Sequence, residues 1–228
     1  TPQRLANPSD QRVRQLASAG LFSMALAYSG PTEYGGGFES DAELTNEGKS
    51  LLDSMATFGV QLDLSHAGHR TARGALRYIA KHNLPLRPFA SHSGCYAAYK
   101  HPRNFPDDVL QDIVALGGYV GIPLLSPLVA PYNRDPMNAF VRHLQHAINL
   151  CGVETIGIGS DCQHFDMTLE DARALYEWLT RAVKPKDAYF PDRPVDLILH
   201  GSRMFTYLQE RFEWNIAGSD AAWVFGKS

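Results

Sequence analysis

Several short apolar runs in this 228-residue chain end in residues able to do chemistry. His66 follows Val60-Gln-Leu-Asp-Leu, His92 follows Pro88-Phe-Ala, Pro123 follows Tyr119-Val-Gly-Ile, and Asp161 follows Thr155-Ile-Gly-Ile-Gly. Neutral imidazole is the commonest metal ligand, and a metal needs its ligands on rigid elements. Two histidines at the ends of neighbouring strands meet that need; the competing reading is a pair of hydrogen-bonded histidines in a rim. Asp161 can bind a substrate amine or take and deliver a proton, or it can simply cap the following loop. In His101-Pro102-Arg103-Asn104 the guanidinium can grip a carboxylate with two prongs, against the plainer alternative of a surface arginine. Asp63 sits inside its strand, which suits a structural or supporting role.

Two closer histidine pairs rank lower. His66-x-x-His69 would lie in a loop without fixed geometry. His143-x-x-His146 has the i, i+3 spacing that binds metal in bundles, but its helix belongs on an outer ring, where solvated or second-layer histidines are the better reading.

Each of those runs is followed by a helical pattern. A strand-helix alternation argues for parallel strands joined by crossovers, and in a parallel α/β barrel all strand C-termini open into one mouth. The chain opens with a helix starting near Asn7-Pro8, carrying Val13 and Leu16 on one face and stopping at Gly20. Leu21 to Tyr28 reads as a buried strand, and residues 30–44 as a Gly-rich loop over the mouth. Thr45 caps a helix with Leu51, Leu52 and Met55 on one face and Gly59 at its end. Further helices are expected from Thr71 to His82, around Val109 to Val114, and around Phe140 to Ile148, the last preceded by a Pro-rich loop over 123–136. Thr168-x-x-Asp171 resembles a capping box opening a helix through Ala182, and Met204 to Phe212 looks helical. The expected fold class is α/β, a (β/α)8 TIM-barrel type. Five strands are counted rather than eight, and the shortfall lies at the N-terminus; a complete barrel takes about 250 residues. An open doubly wound sheet is the rival, but no Gly-rich phosphate loop follows any strand.

Apolar content of 44% supports a single core. A formal charge of -3 gives no broad basic field, so nucleic acid is not an expected partner. No apolar stretch approaches the ~20 residues of a transmembrane helix. Cys95, Cys151 and Cys162 read as unpaired thiols.

These residues resemble a known family. Leu44-Thr45 with Gly48, Asp63-Leu64-Ser65-His66, Ser91-His92-Ser93, His101-Pro102-Arg103-Asn104, Gly117-Gly118-x-x-Gly121 and Gly157-Ile158-Gly159-Ser160-Asp161 occur in the order and spacing of the membrane (renal) dipeptidases. These are zinc-dependent barrel hydrolases of the amidohydrolase type. The likeness runs from about Leu21 to Asp166, and Ala217-Gly218-Ser219-Asp220 resembles the family's closing helix. The resemblance implies two zinc ions, with His66 and His92 on one of them. It implies that Arg103 holds the substrate's C-terminal carboxylate and that Asp161 meets the amino end or shuttles a proton. Tyr28 stands where many members carry a substrate-facing His, which makes it a substrate-binding candidate.

The family's His-x-Asp and bridging Glu lie upstream of the matching region, and Thr1 to Gly20 contain neither His nor Glu. Residues 1–228 are therefore expected to be one metallohydrolase-like barrel domain, the later two-thirds or more of a longer protein. The expected function is zinc-dependent hydrolysis of the amide bond of a dipeptide or small peptide-like substrate by metal-activated water. The alternative is a barrel-fold binding or assembly protein that has lost its dinuclear centre. A homodimer is compatible with either, and the compartment is left open.

Overall fold

The computed structural model describes residues 8–40, 42–131, 136–159 and 161. The expected helices after Thr168 and at Met204, the 217–220 pattern and Cys162 lie outside the described residues.

Five parallel segments lie side by side in chain order. Strand β1 (Ser23–Met24) pairs with β2 (Gln61–Leu62). Asp63 bridges to Phe89, and Ala90 bridges to Val120 of β3 (Val120–Ile122), which pairs with β4 (Ile156–Ile158). Every described pairing among these five segments is parallel, as the strand-helix alternation requires. The segments are shorter than the apolar runs. The expected eight-residue strand at Leu21 to Tyr28 pairs only through Ser23 and Met24. Beyond Met24 the chain leaves the ladder, burying Leu26 while Tyr28 emerges to 67% exposure.

The helices return the chain between segments. Helix α1 spans Pro8–Ser18 and buries Val13, but Leu16 faces outward, against expectation. It packs on α2 (Asn46–Phe58). There the Thr45 hydroxyl accepts from the Gly48 amide, and Gly59 closes the helix at a φ of 73°, a left-handed position that suits glycine. Leu51, Leu52 and Met55 turn inward as their spacing predicts. Helix α3 (His69–His82) starts two residues before the expected Thr71. Helix α4 (Asp107–Ala115) opens on Asp107 and Asp108, acids suited to the positive end of the helix dipole. Within the Pro-rich loop the structure forms a single-turn helix, α5 (Ser126–Val129), that the sequence pattern had not indicated. Helix α6 (Pro136–Cys151) buries Phe140, Leu144 and Ala147. One continuous core joins α1, α2, α3, α4 and α6 to the inner strand residues Leu62, Leu64, Ala90, Val120, Ile122 and Ile156, while Val129 of α5 packs with Ala130 and Ala139 in a small separate cluster. Among the described residues no helix is long and apolar enough to cross a membrane.

Two glycines let the segments close up beside His92. A Cβ on Gly121 or on Gly159 would run into the Ser91 carbonyl. Both are therefore glycine for reasons of space, and a side chain at either would push the Ser91–His92 backbone away. Gly121→Ala is expected to lower the free energy of unfolding by about 1–3 kcal/mol, the cost of overpacking a filled site. Gly30→Ala, where a Cβ meets nothing within 4 Å, should fall within about 0.5 kcal/mol of wild type in the same urea titration.

Candidate active site

Asp63 is the brace of the strand ends. Its Oδ1 accepts from the backbone amides of Ser65 (2.9 Å) and Ser91 (3.1 Å), and its Oδ2 accepts from the Ser91 hydroxyl at 2.5 Å. The Ser91 Oγ also lies 2.7 Å from His92 Nδ1 and 3.1 Å from Ser65 Oγ, while the His92 amide donates to Ser65 Oγ at 2.9 Å. The supporting role read for Asp63 thus has a definite form: it ties the β2 end to the neighbouring segment and steadies His92.

The imidazoles of His66 and His92 meet edge to face, with ring centroids 5.0 Å apart. His66 Nδ1 and His92 Nε2 are both buried without a hydrogen-bond partner among the described residues. Tyr28 stacks on the His66 ring at 4.0 Å, and Phe38 tilts toward it at 6.0 Å. His92 Nε2 lies 3.8 Å from Asp161 Oδ1. Backbone strain gathers here: His66 (φ 75°) and Asp161 (φ 54°) are two of three described non-glycine residues in the left-handed region, the third being the helix-capping Asn83. Such positions persist where surrounding contacts enforce them.

Burial, then the Arg103 guanidinium, then His92, push the His66 imidazole down to about 3. Burial likewise lowers His92 and outweighs the nearby Asp161 carboxylate, which acts the other way. Both rings are therefore neutral near pH 7, the state in which imidazole binds metals. The 3.8 Å approach of Asp161 is accordingly a contact with a neutral ring, not an ion pair.

Arg103 completes the group. It is 4% exposed, its guanidinium lies over the Phe38 ring at 5.5 Å, and Nη1 and Nη2 have no partner among the described residues. Burial lowers its pKa, offset in part by Asp161, Tyr28 and Asp63. The surface-arginine reading is excluded. Asn104 holds the loop that presents it: Nδ2 donates to the Tyr99 and Leu128 carbonyls, Oδ1 accepts from the Gly94 amide, and its carbonyl lies 2.8 Å from His69 Nε2. A cavity of about 290 Å³, lined by Phe38, Glu39, Ser40, His69 and Pro102, shares Phe38 with this stack.

His66, His92, Arg103, Asp161 and Tyr28 are thus brought together, and the lower-ranked pairs are not. His69 turns to Asn104. His143 is buried, accepting from the Cys95 amide at Nδ1 and contacting the Val129 carbonyl through Nε2 at 3.1 Å; His146 contacts Asp107 at 2.8 Å. His143 is second-layer, not solvated. Cys95 and Cys151 are free thiols. Phe38 carried no signal of its own in the sequence, and Asn104 stood there only as a member of the His101-Pro102-Arg103-Asn104 motif, because only the folded loops show what they touch. Among the described residues, no three His, Cys, Asp or Glu side chains form a metal-holding group.

Residues 4–189 match the family described as membrane dipeptidase, peptidase family M19. The chain belongs to the membrane dipeptidase family. An uncharacterized dipeptidase of Schizosaccharomyces pombe is 31% identical over 141 residues, 59% of this chain and 33% of that protein. A metallopeptidase from Rhodobacter sphaeroides, crystallised with a phosphinate mimic of the dipeptide L-Ala-D-Ala, superposes with a TM-score of 0.73 at 22% identity. That match covers 88% of this chain and 59% of the other. The dipeptidase AC structure, of the same peptidase family, gives 0.73 at 21% identity over 88% and 60%. The chain thus spans about a third of the curated relative and three-fifths of these solved membrane dipeptidase-like structures.

His143 gives a pH prediction. Burial lowers its pKa to about 4, whereas an unfolded histidine titrates near 6.5. The stabilisation from keeping it neutral is complete above pH 6.5 and is lost as pH falls from there toward 4. His143→Asn keeps an acceptor for the Cys95 amide but cannot titrate. It should cost about 1–3 kcal/mol at pH 7, and its unfolding free energy should fall less steeply between pH 6.5 and 4, by about one proton's slope. Urea denaturation across that range measures both.

Proposed function

We propose that this chain carries part of the active site of a zinc-dependent dipeptidase-like hydrolase, on a (β/α)8 barrel of which the five parallel segments form an arc. Residues 1–228 are read as one barrel domain. The observation that carries the reading is the pair of buried imidazole nitrogens beside the buried Arg103 Nη1 and Nη2, none with a partner among the described residues. A native protein leaves few such groups unpaired, and each calls for a partner. A cation fits two neutral nitrogens, and a carboxylate fits a guanidinium, which is the polarity of a peptide with its reacting amide near the metal.

His66 and His92 would hold one ion of the pair expected for the family. When bound, zinc supplies an acidified water and a Lewis acid for the amide carbonyl. Arg103, pre-aimed by Asn104 and flattened on Phe38, binds the C-terminal carboxylate and sets the length of substrate that fits. Asp161, beside His92, receives the substrate's amino end or carries the proton toward the leaving amine. Tyr28, two-thirds exposed and stacked on His66, offers an aromatic face to the substrate. The TM-score of 0.73 to a metallopeptidase holding a dipeptide mimic supports the fold on which this reading depends.

The test uses the intact native protein with a dipeptide panel. Removing metal is expected to abolish hydrolysis and zinc to restore it; unchanged turnover in the metal-free protein, or a protein that takes up no zinc, would overturn the reading and leave a binding or assembly role. Arg103→Met should lower kcat/KM on free dipeptides by roughly 10- to 100-fold, as expected for a lost charge-assisted contact. C-terminally amidated dipeptides, which lack the carboxylate, should be nearly indifferent to that substitution.

A further inference from the structure

We propose that Asp63 is a positioning residue that sets the tautomer of His92 through the Ser91 hydroxyl, leaving Nε2 as a bare lone pair. The inference rests on the reading of His92 as a metal ligand, but its first half stands on hydrogen-bond arithmetic alone.

Ser91 has one hydroxyl proton and two lone pairs. The Asp63 carboxyl accepts from two backbone amides at Oδ1, and at Oδ2 it accepts the Ser91 hydroxyl at 2.5 Å, so this contact takes the Ser91 proton. Ser91 Oγ then has only acceptor capacity for its other two neighbours, His92 Nδ1 at 2.7 Å and Ser65 Oγ at 3.1 Å. Ser65 satisfies this by donating its own proton, while its oxygen accepts from the His92 amide. His92 satisfies it only if Nδ1 carries the hydrogen. A neutral imidazole has one N–H, so Nε2 is left as an acceptor, and Nε2 is the buried nitrogen without a partner among the described residues. Each proton is donated once, no oxygen accepts more bonds than it has lone pairs, and the chain of bonds has a single direction.

That direction can be reversed by one near-isosteric change. In Asp63→Asn, Oδ1 still accepts from the amides of Ser65 and Ser91. The side-chain NH2 must then occupy the place of Oδ2 and donate to Ser91 Oγ. The Ser91 proton is turned toward His92 Nδ1, which becomes the acceptor, and the ring hydrogen moves to Nε2, where a cation needs a lone pair. Among the described residues His66 has no equivalent device: its Nδ1 has no partner there, and its ring stacks on Tyr28.

The experiment is carried out on the intact native protein, with 15N NMR of the histidine rings in the metal-free form and zinc titration against a competing chelator. Wild type should show His92 protonated at Nδ1. Asp63→Asn should show it protonated at Nε2, with zinc affinity reduced by roughly 10- to 100-fold, the usual cost of losing an outer partner of a metal-binding histidine. Ser91→Ala should mix the two tautomers, and Ser91→Thr, which keeps the hydroxyl, should restore both signatures. A merely structural role for Asp63 would lower the melting temperature without moving the ring proton. The proposal is overturned if wild-type His92 carries its hydrogen on Nε2, or if Asp63→Asn leaves it on Nδ1. Should Asp63→Asn fail to fold, Ser91→Ala decides: a ring proton still fixed on Nδ1 and affinity within about twofold of wild type refute the relay. A wild-type Nδ1 tautomer in a protein that binds no zinc would uphold the relay and overturn the metal reading instead.

Discussion

The site depends on one half-buried carboxylate that joins two strand ends. Asp63 accepts from two backbone amides and one hydroxyl belonging to Ser65 and Ser91, at the point where its own segment bridges to Phe89. Parallel strands are tied to each other by ladder bonds, and these run out where the segments end. Asp63 supplies the tie one step beyond the ladder, at the level where His66 and His92 emerge. Because its three accepted bonds tie two segments at once, losing this carboxylate would leave several polar groups unpaired together.

The two imidazoles are held by different physics. His92 is fixed by a chain of hydrogen bonds and by the close approach that Gly121 and Gly159 allow around Ser91. His66 sits on a left-handed backbone, stacked against Tyr28 and near Phe38. The Gly-rich loop that carries Phe38 is not a free flap: Gly37 bridges to Ala67, the Gly68 amide donates to the Gly36 carbonyl, and the Gly36 amide donates to Thr71. The glycines read as a cover over the mouth serve to pack that loop tightly on the turn holding His66. Contacts on both sides hold the neutral imidazoles in place while His66 Nδ1 and His92 Nε2 have no partner among the described residues, and that is costly unless something else binds there. Among the described residues, the unpartnered buried side-chain atoms belong to His66, His92, Ser93 and Arg103, residues of the site or directly beside it. Unsatisfied polarity is concentrated where a ligand would relieve it.

Much of this was legible from residue order. Strand-helix alternation gave parallel segments in chain order, Thr45 and Gly59 marked the ends of a helix, and apolar runs ending in His and Asp pointed to the residues that converge. These signals are local: caps, periodicity and run lengths depend on neighbours a few positions away. Strand lengths were not legible, since a buried apolar run does not reveal how many of its residues pair. The two-residue pairing at Ser23–Met24 shows the difference. Leu16 was misplaced on the inner face because a helix of this length leaves more than one stripe open to apolar residues, and the contact with α2 selects among them.

What the sequence determined by itself was the set of chemical groups and their assignment to the ends of consecutive segments, since residue type and periodicity are written in the chain. The tertiary structure decided which groups are buried, unpartnered and neutral. Arg103 could be a surface residue in the sequence and is an enclosed guanidinium in the fold; His143 could be a ligand and is a satisfied core histidine. Protonation state, tautomer and the direction of a hydrogen bond depend on contacts between residues dozens of positions apart. Desolvation and geometry set them, and both exist only once the chain has closed around the site.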